Sequence, residues 1–174
     1  PVGVVGDGGG PLDAVRLRVV ISSLPMHIPG RMIERARGRL RPLLADAGLS
    51  GIEVREETEV LGAEGPGVML LVEGQGGGRH GGVAVLGEKG KPAERVAEEA
   101  VDGFSAFLRS GATVDAHTAD QLLLPCALAA GRSAYRTPAG TQHLLTNAEV
   151  VRMFLDRSIV VRGDPGGPGA VEVR

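Results

Sequence analysis

Aromatic residues are scarce. Phe104, Phe107, Phe154 and Tyr135 are the whole set, and there is no tryptophan. A surface that binds nucleic acid by stacking bases on a row of rings is therefore not expected. A single cysteine, Cys126, excludes an intrachain disulfide framework and a cysteine-rich zinc site. Long apolar runs are missing too. The stretch from Leu122 to Ala130 is among the longest, far short of the ~20 residues that a membrane span requires. No basic start leads into an apolar core, so the opening does not read as a signal peptide. These absences predict a soluble, cytoplasmic protein with no membrane partner.

What is present fits a folded protein. The chain has 174 residues, 43% hydrophobic and 23% charged, which excludes disorder throughout. Glycine is abundant at 28 residues and proline numbers 11. Much of the glycine sits in three breaks, at 8–10, 74–82 and 163–169. The opening from Pro1 to Gly10 shows no periodic pattern, and reads as the middle of a longer chain or a processed start.

Net charge is −2, but it is unevenly spread. Residues 16–41 hold seven arginines against Glu34, whereas 46–64 hold six acids against Arg55. Segments of opposite sign usually pair with one another or face solvent. A basic helix face aimed at phosphates is the sharper alternative.

Hydrophobic periodicity predicts the elements. Val15, Leu17, Val19 and Ile21 alternate as in a half-buried strand. Pro29 suits a first helical turn. Ile33, Ala36, Leu40, Leu43 and Leu44 continue at helical spacing to Gly48, a C-terminal cap. Pro42 inside this run is expected to kink or split the helix. Ile52–Val60, Val68–Val72 and Val83–Leu86 read as strands, and Ala93–Leu108 as a helix closed by Gly111. After Val114, an apolar helix carries Leu122, Leu123, Cys126, Ala127 and Ala130 and is interrupted by Pro125. Ser133–Thr137 is a strand. Thr146-Asn-Ala-Glu149 has the form of a capping box, which predicts a helix from 146 to about Leu155. Two strands follow, at Ser158–Arg162 and Ala170–Arg174. The fold class is α/β (α+β), with a two-layer βαβββα unit of about 100 residues followed by a smaller one. The second unit buries little by itself, so it is expected to complete a sheet with strands from elsewhere and to expose apolar surface.

Gly76-Gly-Gly78-Arg-His-Gly81 matches the spacing of a dinucleotide-binding loop, but a strand follows where a helix is needed, so it reads as a mobile loop. Gly87-Glu-Lys-Gly90-Lys91 lacks the upstream glycine and the Ser or Thr of a P-loop. His27, His80, His117 and His143 show no zinc spacing. His143 differs in position, one turn ahead of the capping box. A helix start carries partial positive charge and free N–H groups, which suit a neutral, nucleophilic imidazole and an incoming phosphate. Asp120 and Gln121 open an apolar helix. Asp120 either complements the helix dipole or serves a nucleotide or cation.

Several of these residues together resemble the RNA 3′-terminal phosphate cyclase family. His143-Leu-Leu-Thr-Asn147, with Val150-Val151 and Phe154-Leu155, resembles its nucleophile motif. Ala119-Asp-Gln-Leu-Leu-Leu-Pro125, with Ala127-Leu128, resembles its ATP-site helix. Gly87-Glu-Lys-Gly90 with Ala93-Glu94, Gly65-Pro-Gly67 with Leu70, and Leu24-Pro25 with His27 resemble parts of its inserted domain, in the family's order. The resemblance implies an inserted α/β domain at 14–113, the last βαβαββ-type repeat of the catalytic domain at 114–174, and the tail of a preceding repeat at 1–13. It implies that an N-terminal half is missing and that the chain is inactive or weak without it.

The resemblance also implies an activity: ATP-dependent conversion of an RNA 3′-phosphate to a 2′,3′-cyclic phosphate, through AMP carried on His143. His117, Thr118, Ala119, Asp120 and Gln121 would bind ATP, aided by a divalent cation, Mg2+ or Mn2+, whose ligands are not identified. His117 stands where the family usually has a tyrosine. The partner would be RNA with a 3′-phosphate end. Two alternatives stand beside this: a non-catalytic relative acting as a scaffold in ribosome assembly, which would lack the histidine, and a fragment without activity.

Overall fold

The computed structural model describes residues 9–174. Residues 1–8, and with them most of the segment read as a preceding tail, lie outside the described residues. The elements run β1 (Ala14–Ser22), α1 (His27–Asp46), β2 (Glu53–Val60), β3 (Gly67–Gly76), β4 (Arg79–Leu86), α2 (Ala93–Ser110), α3 (Ala116–Leu128), β5 (Ser133–Thr137), α4 (Gln142–Phe154), β6 (Ile159–Arg162) and β7 (Gly169–Val173). The chain divides into two compact units. One comprises Pro11–Gly76 and Gly82–Arg109, the other Gly9–Gly10, Gly77–Gly81 and Ser110–Arg174.

In the first unit a four-stranded sheet has the order β2-β1-β3-β4. Strand β1 pairs parallel with β2 and antiparallel with β3. The alternation seen in the sequence holds: Val15, Leu17, Val19 and Ile21 are almost fully buried, with Met32, Ala36, Leu40, Leu70, Val72, Val96, Ala100, Phe104 and Phe107. Phe104 and Phe107 pack as a tilted pair, 5.9 Å between centroids. Helix α1 ends in a Schellman motif. Gly48 adopts φ +73°, its N–H donates to the Ala45 carbonyl (3.0 Å), and the Leu49 N–H donates to the Leu44 carbonyl (2.8 Å).

Two expectations about this region are corrected. Pro42 does not split α1, which runs unbroken from His27 to Asp46. Leu43 and Leu44, just beyond the proline, are buried, and that packing holds the last turn despite one lost backbone hydrogen bond. The glycine-rich stretch at 76–81 is not a loose loop. Gly77 and Gly78 are the two-residue turn between β3 and β4, and both have positive φ, +57° and +75°. That is the type I′ geometry favoured in hairpins, which glycine adopts without strain.

The charge asymmetry resolves into ion pairs. Arg31, Arg35 and Arg39 on α1 reach Glu94, Glu98 and Asp102 on α2. Arg37 pairs with Glu56, Arg18 with Glu59, and Arg16 with Glu57 and Glu73. Six of the seven arginines therefore have acid partners, and this is not a basic face reserved for phosphates.

In the second unit a three-stranded antiparallel sheet has the order β5-β7-β6. With α3 and α4 it forms a partial βαβαββ repeat. Pro125 lies within α3 without ending it. Among the described residues no helix is long and apolar enough to cross a membrane.

Candidate active site at two helix starts

Each helix of the second unit is fixed at its N-terminus by local chemistry. Asp115 caps α3: its carboxylate accepts from the His117 and Thr118 N–H groups, both at 2.9 Å, and from the Thr118 hydroxyl at 2.7 Å. The segment leading into α3 is strapped to β5, because the Thr113 and Val114 N–H groups donate to the Arg136 carbonyl at 3.1 Å. The buried Tyr135 hydroxyl donates to the Ala119 carbonyl at 2.7 Å, and burial pushes that phenol's pKa well above its ordinary value.

Helix α4 starts earlier than the sequence suggested. Thr141 is its N-cap, and the Thr141 hydroxyl accepts from the Leu144 N–H at 3.1 Å. Thr146 and Glu149 lie inside the helix, and Glu149 pairs with Arg152 instead of closing a capping box. His143 therefore sits in the first turn of α4, not on a loop before it. The preceding Gly140 is held by the β6–β7 loop: its N–H donates to the Gly167 carbonyl (2.8 Å), and its carbonyl accepts from the Gly166 N–H (2.9 Å).

Leu144, Ala148 and Val151 of α4 and Ala119, Leu123, Cys126 and Ala127 of α3 share one buried cluster with Tyr135, Val171 and Val173. The two helices run in the same direction. Asn147 donates to Asp120 at 2.6 Å near their starts, and Leu128, Phe154 and Leu155 at their ends line one groove of about 340 Å³. Both first turns therefore lie at one end of the unit. His117 and His143 are each the second residue of their helix.

This arrangement sorts the expected site residues. His143, His117 and Gln121 are exposed, and Asp120 is half-buried. The Thr118 hydroxyl is committed to Asp115. Ala119 is fully buried and shapes the site by packing alone. Sequence reasoning missed Asn147 as the partner of Asp120, although it stands one turn beyond His143 on the same face of α4. It also missed Thr141. A hydroxyl residue after Gly140 was the available signal, hidden by the more regular pattern at 146–149.

The two helix starts differ electrostatically. A carboxylate already occupies that of α3, whereas a neutral hydroxyl caps α4. The Gln142 and His143 N–H groups make no hydrogen bond among the described residues. The positive end of the α4 dipole is thus open to an anion beside His143. Among the described residues, no three His, Cys, Asp or Glu side chains are grouped to hold a metal ion.

The fold and site thus define a two-unit α/β chain, a sheet-and-helix domain followed by a partial repeat with an exposed histidine beside an anion-accepting helix start. A profile of the RNA 3′-terminal phosphate cyclase insert domain matches residues 8–109, and the chain belongs to the RNA 3′-terminal phosphate cyclase family. It is 42% identical over 164 residues to the RNA 3′-terminal phosphate cyclase of Methylococcus capsulatus, covering 94% of this chain and 44% of that protein. The Methanopyrus kandleri cyclase is 38% identical over 177 residues, covering 95% and 47%. The Nostoc punctiforme cyclase is 39% identical over 147 residues, covering 83% and 40%. The chain spans under half the length of these relatives.

Proposed function

We propose that this chain contributes the nucleophile and part of the ATP site to an ATP-dependent RNA 3′-terminal phosphate cyclase, with 14–113 as the inserted domain and 114–174 as the last repeat. The observation that supports this reading best is the exposed His143 in the first turn of α4, beside open N–H groups.

An imidazole nitrogen of His143 attacks the α-phosphorus of ATP. The bond to the bridging oxygen breaks and pyrophosphate leaves, with a proton passing from the ring to solvent. A 3′-phosphate oxygen of RNA then attacks the histidine-bound phosphorus, and the P–N bond breaks. Finally the adjacent 2′-hydroxyl oxygen attacks the RNA phosphorus, loses its proton and expels AMP, leaving a 2′,3′-cyclic phosphate. Covalent transfer divides one difficult displacement into three easier ones. The Gln142 and His143 N–H groups donate to the phosphate oxygens as charge moves. The His117 ring packs on adenine, and Asp120, oriented by Asn147, and Gln121 accept and donate hydrogen bonds to the nucleotide.

The test is incubation with α-labelled ATP and a divalent cation. An acid-labile label on the chain is expected, and His143→Asn should remove it while circular dichroism stays unchanged. Label that persists in His143→Asn overturns the assignment. In parallel, cyclisation of a 3′-phosphorylated oligonucleotide is expected to be weak with this chain alone, because transfer needs donors on several sides of the phosphate and a 1 Å misplacement can cost about a hundredfold. Adding the remaining length of a relative should raise it.

A further inference from the structure

The second sheet has a face turned away from α3 and α4. Tyr135, Val171, Val173 and Ile159 point into the core, so alternation along the strands sends Arg136, Glu172, Arg174 and Arg162 to the other side. In register, Arg136 opposes Ala170, which opposes Arg162, and the next row is Ala134, Glu172 and Val160. The Glu172 carboxylate is nearly buried and lies 2.7 Å from Arg132, 2.7 Å from Arg174 and 3.5 Å from Arg162, while each of those arginines is more than half exposed. One carboxylate neutralises one guanidinium. Four arginines against Glu172 leave a net of +3 on a patch floored by Ala134, Ala170 and Val160.

Stability does not account for this surplus, since exposed ion pairs contribute little and a single arginine would satisfy Glu172. The shared carboxylate instead fixes the orientation of the guanidinium forks, which lowers the entropy lost when they bind something else. Exposed forks over Ala134, Ala170 and Val160 match phosphate groups, and this face carries no aromatic ring for bases to stack on.

We propose that this face, built on Arg132, Arg136, Arg162 and Arg174, is a binding surface for the sugar–phosphate backbone of single-stranded RNA, separate from the helix starts. The choice of RNA over other polyanions rests on the function proposed above. The surface leads substrate to the protein without reading sequence. The free positive charge of this unit is used here, whereas the arginines of α1 are spent on their own acid partners.

The experiment is fluorescence anisotropy of a labelled 3′-phosphorylated RNA of about 12 nucleotides, titrated with the 174-residue chain between about 50 and 200 mM salt. For single strands, each neutralised phosphate adds about 0.7 to the slope of log affinity against log salt. Arg136→Gln with Arg162→Gln should flatten the slope by about 1.4 and weaken binding roughly 25-fold near 0.1 M salt. Arg136→Gln alone should give about half that slope change, and it is a safe second variant because Arg136 makes no bond to Glu172. Unchanged slope and affinity in both variants overturn the proposal. Polyglutamate binding as tightly as RNA, with the same arginine dependence, overturns it in favour of an acidic protein partner. The ATP label on His143 separates the two readings. Labelling without any arginine dependence of RNA binding sinks only the surface, whereas arginine-dependent binding without labelling sinks only the nucleophile.

Discussion

The two units use charge and apolar surface in opposite ways. In the first, the excess of arginine in the sequence is paired internally, most visibly in the ladder from Arg31, Arg35 and Arg39 to Glu94, Glu98 and Asp102, and its large apolar side chains are mostly buried. In the second, six arginines balance six acids between residues 114 and 174, yet folding gathers three of the arginines, Arg132, Arg162 and Arg174, around Glu172. The same unit exposes Leu124, Leu128, Met153 and Phe154 on α3 and α4, as expected of a repeat that buries little by itself. A charge count along the sequence therefore does not show which charge stays without a partner. What matters is the charge left after partners are assigned in space.

The largest test of this division is whether the units unfold separately. Phe104→Ala empties the centre of the first core, and Tyr135→Ala that of the second. Each is expected to cost about 3–5 kcal/mol. Calorimetry should show each variant lowering one transition and sparing the other. A single transition lowered equally by both would make the units one cooperative body and break the comparison. Tyr135→Phe keeps the volume and removes the bond to the Ala119 carbonyl, so about 1–2 kcal/mol is expected in the second transition alone.

A smaller change sharpens the account of the site. Thr141→Ala removes the hydroxyl that caps α4 and should cost about 1 kcal/mol. Thr146→Ala, inside the helix, should be neutral or stabilising by up to roughly 0.7 kcal/mol, since alanine is the better helix former. If Thr146→Ala proves the costlier change, α4 begins at 146 and His143 belongs to a loop after all. The pair should also separate in labelling, because only the Thr141 variant frays the turn that carries His143.

The contrast explains what could be read without coordinates. Strands such as Val15–Ile21 and the stripe from Val96 to Leu108 were legible because local periodicity and burial agree. Pro42 and Pro125 misled, because the burial of Leu43, Leu44, Cys126 and Ala127 outweighs a single missing N–H. Gly77 and Gly78 misled through composition, since a glycine run looks loose but supplies two positive φ angles in a tight turn. At the proposed site, His143, Asp120 and Gln121 were singled out by motif alone. Their geometry was not legible, because the Asp120–Asn147 bond joins residues 27 apart in sequence on different helices. The arginine face was invisible for the same reason, since Arg132 and Arg174 meet only across paired strands.

The mildest test is pH. Hydrogen bonds from Arg31 and Arg35 hold the Glu94 and Glu98 carboxyls below their ordinary value, Lys91 does the same for Glu99, and Arg55 for Glu53. All four lie in the first unit. In the second, Glu172 is lowered, chiefly by Arg174. A carboxyl with a depressed folded-state pKa stabilises the fold at pH values above its unfolded value of about 4.3, and that contribution fades as pH falls through the lower folded value. The first unit's transition is therefore expected to drop more steeply than the second's as pH falls below about 4.3. Because the four carboxyls of the first unit are exposed or only half-buried, the difference should be modest and should shrink as salt is raised toward 1 M, where the screening length is about 3 Å. Replacing Arg31, Arg35 and Arg39 together by glutamine should flatten the first slope and leave the second unchanged. Equal slopes for both units in the wild-type chain at low salt would show that the ladder contributes nothing measurable, and that the first unit's arginines are as free as those around Glu172.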